Sequence, residues 1–175
     1  MCSATCACGG CDGGDATQRI LVAGIGNIFL GDDGFGPEVL RHVGSAAPGV
    51  QTTDYGIRGM HLAYDLLAEW DALVLVDALP CRGAPGTVHV FEADHQSLTA
   101  AVGLDAHAMD PATVFASLNA LGGHAPYTVV VGCEVEDVEE RMGLSGVAAA
   151  AIPAATRAVE DVVAELRSRS PVREG

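Results

Sequence analysis

Short runs of aliphatic residues alternate with amphipathic segments along most of the chain. The runs at residues 20–23, 72–76 and 127–131 are continuous and are followed by Gly or Asp, which is typical of strands buried on both faces of a parallel sheet. A weaker strand is predicted at residues 50–53. The alternation over residues 87–91 predicts a half-buried strand, antiparallel at a sheet edge. The pattern therefore predicts a sheet of about five strands.

Helical spacing of apolar residues follows most of these strands. Pro37 suits the first turn of a helix that reaches about residue 45, and residues 60–69 place leucines on one face of a second helix. Asp110 is a candidate cap for a third helix, with Pro111 at its first position. Strands that alternate with helices predict a mostly parallel twisted sheet with helices on both faces, a three-layer α/β/α sandwich.

The last helix has the clearest boundaries. Ser145 is a candidate N-cap for an Ala-rich helix that extends to about Ser168, and Pro153 inside it predicts a kink or break. We expect one domain over residues 19–170, preceded by a flexible leader at residues 1–18 and followed by a short tail at residues 171–175.

Composition and charge narrow the function. The chain of 175 residues is 49% hydrophobic and carries 23 acidic against 9 basic residues, a formal charge of −14. Nucleic acids and acidic membrane surfaces would be repelled. No apolar run reaches the roughly 18 residues of a membrane span, and Arg19 is the first basic residue, so no basic signal peptide is visible. We expect a soluble, cytoplasmic monomer.

The six cysteines fall into two groups. Cys81 and Cys133 stand alone in the domain, and four others crowd the leader: Cys2, Cys6, Cys8 and Cys11. In a reducing compartment these residues would be thiols or metal ligands. The leader contains a C-x-x-C pair that could hold zinc. Its glycines and its lack of a hydrophobic run favour a flexible tail instead.

The loop after the first strand superficially resembles a dinucleotide site. Gly24 and Gly26 follow the strand, but Phe29 stands where the third glycine of that fingerprint belongs, and no phosphate-binding loop occurs. A nucleotide cofactor is therefore not expected. Nucleophilic protease chemistry is not expected either, because neither Cys81 nor Cys133 has an assignable base.

Two acidic positions should meet at one edge of the sheet. Asp32 and Asp33 lie in a glycine-rich loop, and Asp77 ends the most hydrophobic strand. Ligand clefts of such sheets lie outside the carboxyl ends of the strands. An unpaired charge at the end of a buried strand is costly, which favours a functional Asp77. One residue of the pair Asp32 and Asp33 can cap a helix while the other faces the cleft, and the sequence does not decide which.

A histidine can complete this acidic set. His107 precedes the predicted third helix within a loop at residues 93–110, which also carries His95. Two carboxylates and one imidazole suit Ni, Zn, Mn or Fe and leave coordination positions open. Without the two carboxylates, a single loop histidine would more often be merely exposed.

At this point the sequence resembles the nickel-iron hydrogenase maturation endopeptidases. The similarity is strongest in Ile-Leu-Val-Ala-Gly-Ile-Gly-Asn-Ile-Phe-Leu-Gly-Asp-Asp-Gly-Phe-Gly-Pro-Glu-Val from Ile20. It continues in Asp-Tyr-Gly-Ile-Arg-Gly-Met from Asp54, in Leu-Val-Asp-Ala around Asp77, and in Val-Gly-Cys-Glu ending at Glu134. The family often has Pro where this chain has Val135, and the cysteine leader lies outside its pattern.

The resemblance implies a site, a substrate and a reaction. It implies that Asp33, Asp77 and His107 bind a metal, with Asp33 and Asp77 as the catalytic carboxylates. The implied partner is the precursor of a hydrogenase large subunit, which carries the nickel and loses a C-terminal extension. Either the metal polarises the carbonyl or activates water, or a carboxylate acts as general base. Two alternatives stay open: a metallopeptidase with resident zinc, and a non-catalytic chaperone of the nickel-loaded subunit.

Overall fold

The computed structural model describes residues 18–44, 47–93 and 111–169. Its strands are β1 (Ile20–Ile25), β2 (Val50–Gly56), β3 (Ala72–Pro80), β4 (Val88–Glu92) and β5 (Tyr127–Val135). A short 3-10 helix (Gly31–Gly34) precedes α1 (Phe35–Leu40), and the other helices are α2 (Gly59–Asp65), α3 (Pro111–Ala120) and α4 (Gly146–Ser168).

The five strands form one mixed sheet in the order β2-β1-β3-β5-β4. β1 pairs in parallel with β2 and β3, and β3 pairs in parallel with β5. β4 runs antiparallel to β5 at the edge. The predicted five-stranded, mostly parallel sheet is therefore confirmed, including its antiparallel edge strand.

The two faces of the sheet carry separate hydrophobic clusters. Alternate strand residues such as Val22 and Val74 pack with Phe35 of α1 and with Val159 of α4. The intervening residues, among them Leu75, pack with α2 and α3 on the other face. Because side chains alternate along a strand, both faces of β1 are covered, and β1 is buried throughout. The three-layer α/β/α sandwich is confirmed.

Two strands are longer than their aliphatic runs predict. β3 continues past Asp77 to Pro80, and β5 continues to Val135. The prediction that β3 stops at Asp77 was wrong because β5 extends equally far and supplies ladder partners, with Asp77 opposite Gly132. The pairing of β3 with β1, however, ends at Val76. Asp77 therefore lies one residue beyond the last residue of β3 that pairs with β1.

Two helices are shorter than predicted. α1 ends at Leu40 rather than near residue 45, and α2 ends at Asp65 rather than at residue 69. After both helices the chain forms tighter turns, in which a backbone N–H bonds to the carbonyl three residues earlier. One example is the bond from the His42 N–H to the Val39 carbonyl at 2.9 Å. α4 has its predicted bounds, but the break allowed for at Pro153 does not occur. The Ser145 hydroxyl accepts a hydrogen bond from the Ala148 N–H at 3.1 Å, and the helix continues through Pro153.

Several predictions lie outside the described residues. These are the cysteine leader, the tail, the loop with His95 and His107, and the cap at Asp110. Within residues 18–44, 47–93 and 111–169, no helix is both long and apolar enough to cross a bilayer.

Candidate active site

The start of α1 packs directly on the carboxyl ends of two central strands. A Cβ atom at Gly36 would lie 2.3 Å from the carbonyl oxygen of Ile25 and 2.4 Å from that of Val76. Only glycine allows this approach. The 3-10 helix just before it also contacts β3. Because Asp77 follows Val76, the sheet edge that carries Asp77 also receives the loop that carries Asp33.

Asp33 is held by the loop that leads to it. Its Oδ2 atom accepts a hydrogen bond from the Asn27 N–H at 2.6 Å. Gly26 has a φ of +129°, and a Cβ atom there would lie 1.9 Å from the Asp33 carbonyl oxygen. Asp33 is partly exposed, and among the described residues its Oδ1 atom has no hydrogen-bond partner. One carboxylate oxygen positions the side chain, and the other is available to a ligand.

Asp32 has a different role from its neighbour. It is 1% exposed, and its carboxylate accepts hydrogen bonds from the Ser145 N–H at 2.5 Å and from the Ser145 hydroxyl at 2.8 Å. The Arg141 guanidinium lies 3.7 Å away. Asp32 therefore fastens the loop to the N-cap of α4 rather than capping its own helix. The structure thus separates two roles that the sequence left open, with Asp32 structural.

Backbone hydrogen bonds fasten the same loop from a second side. The Gly31 N–H donates to the Arg141 carbonyl at 2.9 Å, and the Asp32 N–H donates to the Asp137 carbonyl at 2.8 Å. Arg141 also forms an ion pair with Asp137 at 2.9 Å. These contacts hold the 3-10 helix against the segment that enters α4. The position of Asp33 is consequently fixed by partners more than a hundred residues away in sequence.

Asp77 projects from a strand rather than from a loop. It is partly buried within β3, and its Oδ1 atom accepts a hydrogen bond from the Ala78 N–H at 2.8 Å. Its backbone is held by the ladder to β5. A residue in a ladder is positioned more rigidly than one on a free loop. The edge therefore offers Asp77 on a rigid strand and Asp33 on a loop fastened at both sides.

Glu134 is a buried carboxylate whose role the sequence analysis missed. It accepts hydrogen bonds from the N–H groups of Arg82 at 2.8 Å and Ala84 at 3.1 Å, and its Oε1 lies 2.8 Å from His89 Nε2. The Arg82 N–H first, and then His89, hold the pKa of Glu134 below its ordinary value. Glu134 therefore fastens the loop that follows β3. Its position, an acidic residue just after an apolar strand, is the feature of the sequence that could have indicated this role.

The cysteine next to it is not a nucleophile. Cys133 is fully buried, and burial first, followed by the negative charge of Asp32, raises the pKa of its thiol to about 11. The thiol is protonated at neutral pH, whereas attack requires the thiolate. Cys81 is exposed. Cys133 belongs to the hydrophobic cluster between the sheet and α4, so its role is packing.

The turn after β2 forms another part of the edge. The Tyr55 hydroxyl donates to Asp65 at 2.6 Å, and burial together with this bond raises the Tyr55 pKa. Arg58 donates from Nε to the Tyr55 carbonyl at 3.0 Å and from Nη2 to the Asp54 carbonyl. The Gly26 N–H bonds to the Gly56 carbonyl at 3.1 Å. These contacts hold the turn after β2 against the loop that follows β1.

Of the three predicted metal ligands, Asp33 and Asp77 lie in the described part of the chain. Among residues 18–44, 47–93 and 111–169, no three His, Cys, Asp or Glu side chains lie together as a metal site. Asp33 and Asp77 are the carboxylates near this sheet edge, and carboxylates in general suit borderline and hard divalent ions. His107 falls outside the described part of the chain. A metal set of three ligands therefore stays a prediction.

The fold and the carboxylates at the carboxyl ends of its strands together indicate a class of protein. A mostly parallel α/β sheet with two carboxylates at its carboxyl edge is the architecture of an α/β enzyme whose cleft uses acidic side chains. Residues 38–162 match the model of the hydrogenase maturation protease family. This is well over half of the 175 residues. The chain therefore belongs to the hydrogenase maturation protease family and is a peptidase.

Individual relatives agree with this assignment. The chain is 32% identical over 155 residues to hydrogenase expression/formation protein HupD of Rhizobium leguminosarum, covering 86% of this chain and 75% of the relative. It is 30% identical over 154 residues to the hydrogenase 2 maturation protease of Escherichia coli, covering 86% and 92%. The solved structure of the hydrogenase maturating endopeptidase HybD from E. coli matches with a TM-score of 0.73 and 28% identity, covering 85% of this chain and 93% of that one.

Proposed function

We propose that this chain is the endopeptidase that removes the C-terminal extension from the nickel-loaded precursor of a nickel-iron hydrogenase large subunit. The observation that carries the proposal is the contact of Gly36 with the carbonyl oxygens of Ile25 and Val76. It brings the loop with Asp33 to the edge where Asp77 stands. The names of the relatives, which describe hydrogenase maturation proteases, support the choice of substrate.

The proposed site recognises the metal as part of the substrate. Asp33 and Asp77 supply carboxylate oxygens to the precursor's nickel, and His107 supplies an imidazole nitrogen. Three protein ligands leave coordination positions for groups of the precursor itself. Cleavage would then occur only after nickel insertion. The enzyme's affinity for its substrate would then depend on a metal that is bound to the substrate before the two proteins meet.

The chemical step is hydrolysis of one peptide bond. Water adds to the scissile carbonyl carbon, the C–N bond breaks, and the proton from water ends on the departing amine. Binding of the nickel would place this bond beside the two carboxylates, so that much of the rate enhancement comes from positioning. One of the two carboxylates takes the proton from water as general base. Cys133 takes no part, because its raised pKa keeps it a neutral thiol.

The test is a cleavage reaction followed by mass. The purified chain is mixed with its precursor large subunit, either nickel-loaded or prepared without nickel, and the loss of the C-terminal extension is measured. We expect cleavage of the nickel-loaded form only. An unchanged mass of the loaded precursor, with stable binding, would indicate a chaperone. Equal cleavage of both forms, abolished by a chelator, would indicate a resident-zinc metallopeptidase.

A further inference from the structure

A groove lies between α1 and α4, beside the loop that carries Asp33. Its volume is about 940 Å³. It is lined by loop residues 28–34, by α1 with the turn after it, and by residues 142–157, which include the first half of α4. Below it is called the α1–α4 groove. Its size falls within the range of small-ligand and peptide sites.

The groove is continuous with the candidate active site. Ile28, Gly31 and Gly34 line it, and the last two flank Asp32 and Asp33. One end of the groove is therefore formed by the loop that carries Asp33. At this end the mouth of the groove is apolar, since Met142 is 73% exposed and the neighbouring Phe29 is 59% exposed.

The groove is locally basic in a strongly acidic protein. Arg41 and Arg157 line it together with His42, and its acidic lining residue is Glu38. Glu38 already pairs with Arg41 at 2.9 Å and faces His42 at 3.4 Å. Within the described part of the chain, Arg157 has no ion pair. In a chain with a formal charge of −14, an arginine without an ion pair, in a groove that Arg41 also lines, favours a carboxylate ligand.

The groove also contains a backbone carbonyl that lacks its usual helical donor. Proline has no N–H, so Pro153 cannot donate to the carbonyl of Ala149 one turn earlier, and both residues line the groove. Thr156 lines it too, and its buried hydroxyl has no hydrogen-bond partner among the described residues. The Ala149 carbonyl can accept a hydrogen bond from a peptide N–H, whereas the buried Thr156 hydroxyl is not accessible to a ligand without a local rearrangement.

Resting on the proposed function, we propose that the α1–α4 groove binds the C-terminal extension of the precursor, with its terminal carboxylate at Arg157 and Arg41. Every such extension ends in an α-carboxylate. Ala149 and Arg157 are eight residues apart on α4, roughly 12 Å at about 1.5 Å per residue. This distance fits about four residues of extended peptide at about 3.3 Å each. Ile152 and Leu144 supply apolar contacts in the groove.

The first test compares two forms of one peptide. A labelled peptide with the sequence of the precursor's extension is prepared as the free acid and as the C-terminal amide, and binding is measured by fluorescence anisotropy. We expect the acid to bind about tenfold more tightly than the amide. Arg157→Ala should remove that preference. Arg167→Ala, an exposed arginine further along the same helix, is the matched control and should retain it.

The second test uses Pro153→Ala. The new N–H can bond the Ala149 carbonyl, so the melting temperature should rise while the acceptor is lost to the peptide. We expect KM for the nickel-loaded precursor to rise about threefold at unchanged kcat. A more stable protein that binds more weakly cannot be explained by damage to the fold. An unchanged or lower KM would overturn the assignment of Ala149.

The two proposals fail in different ways. If the acid and the amide bind equally, or if Arg167→Ala acts like Arg157→Ala, the groove is not the site of the extension. Cleavage of the nickel-loaded precursor would in that case still support the proposed function. If the unmodified chain does not cleave its precursor, the proposed function is wrong, whatever the peptide shows.

Discussion

The loop that carries Asp33 and the α1–α4 groove adjoin one another, but they differ in how many of their polar groups are satisfied within the chain. In the loop, Asp32 is satisfied by Ser145, and the backbone of the 3-10 helix is bonded to residues 137 and 141. In the groove, Arg157 has no ion pair among the described residues, and the Ala149 carbonyl lacks the N–H donor that Pro153 cannot supply. Satisfied polar groups fix a structure, whereas unsatisfied ones await a ligand.

This difference suggests separate functions for the two regions. The loop holds one carboxylate oxygen of Asp33 at a fixed place on the sheet edge, which suits recognition of an ion with strict geometry. The groove offers a charge, a backbone acceptor and an apolar lining over a longer distance, which suits an extended chain. Substitutions in the loop should therefore change kcat, KM or stability, and substitutions in the groove should change KM at nearly unchanged kcat.

The largest effect is expected from the carboxylates of the edge. Asp33→Asn and Asp77→Asn should each lower the rate of precursor cleavage by at least about 100-fold, because a neutral amide binds cations poorly and cannot act as a base. Mass spectrometry of the precursor measures the rate. Asp161→Asn, at an exposed position on α4, is the control and should cleave normally. Full activity of either variant would exclude that residue from the site.

A second prediction separates the two neighbouring aspartates by stability. Asp32→Ala leaves the Ser145 N–H, the Ser145 hydroxyl and Arg141 without their carboxylate. We expect it to lower the free energy of unfolding by about 2–4 kcal/mol in urea titrations. Asp33→Ala should lower it by less than about 1 kcal/mol, because Asp33 makes a single local hydrogen bond. Equal losses would contradict the separate roles assigned to the two residues.

The sequence carries much of the fold because the fold follows from periodicity. Continuous aliphatic runs predict β1 and the starts of β3 and β5, and the Ser145 cap predicts where α4 begins. The ends of β3 and β5 could not be predicted. They depend on the ladder between Asp77 and Gly132, a pairing of residues distant in sequence. Strand ends that are set by a neighbour leave no signal in the strand itself.

The site was predictable only in part. The rule that clefts lie at the carboxyl edge places Asp33 and Asp77 together, and the packing of Gly36 supports this placement. The division of roles between Asp32 and Asp33 was not predictable, because Ser145 lies 113 residues from Asp32. The groove was not predictable either, since it arises from the packing of α1 against α4. His107 remains a prediction from the resemblance.

A third prediction concerns acid stability around Glu134. Its pKa is lower in the folded chain than the ordinary 4.5, so its contribution to stability is present above pH 4.5 and is lost as the pH falls through the lower folded value. Glu134→Gln should therefore show a shallower loss of stability in acid, measured by thermal unfolding at several pH values. Glu136→Gln, at an exposed position nearby, should retain the slope of the unmodified protein. Identical slopes in all three proteins would show that Glu134 is not the titrating group.

The smallest effect on cleavage is expected at Cys133, which lies on β5 within the hydrophobic core. Its raised pKa of about 11 and complete burial predict no reaction with iodoacetamide at neutral pH, whereas the exposed Cys81 should react in the same sample. Peptide mass mapping after digestion distinguishes the two sites. Cys133→Ala should keep kcat for precursor cleavage within about twofold, because the thiol contributes only packing. Rapid alkylation of Cys133 that stops cleavage would instead point to a thiolate mechanism, and the carboxylates of the edge would lose their assigned role.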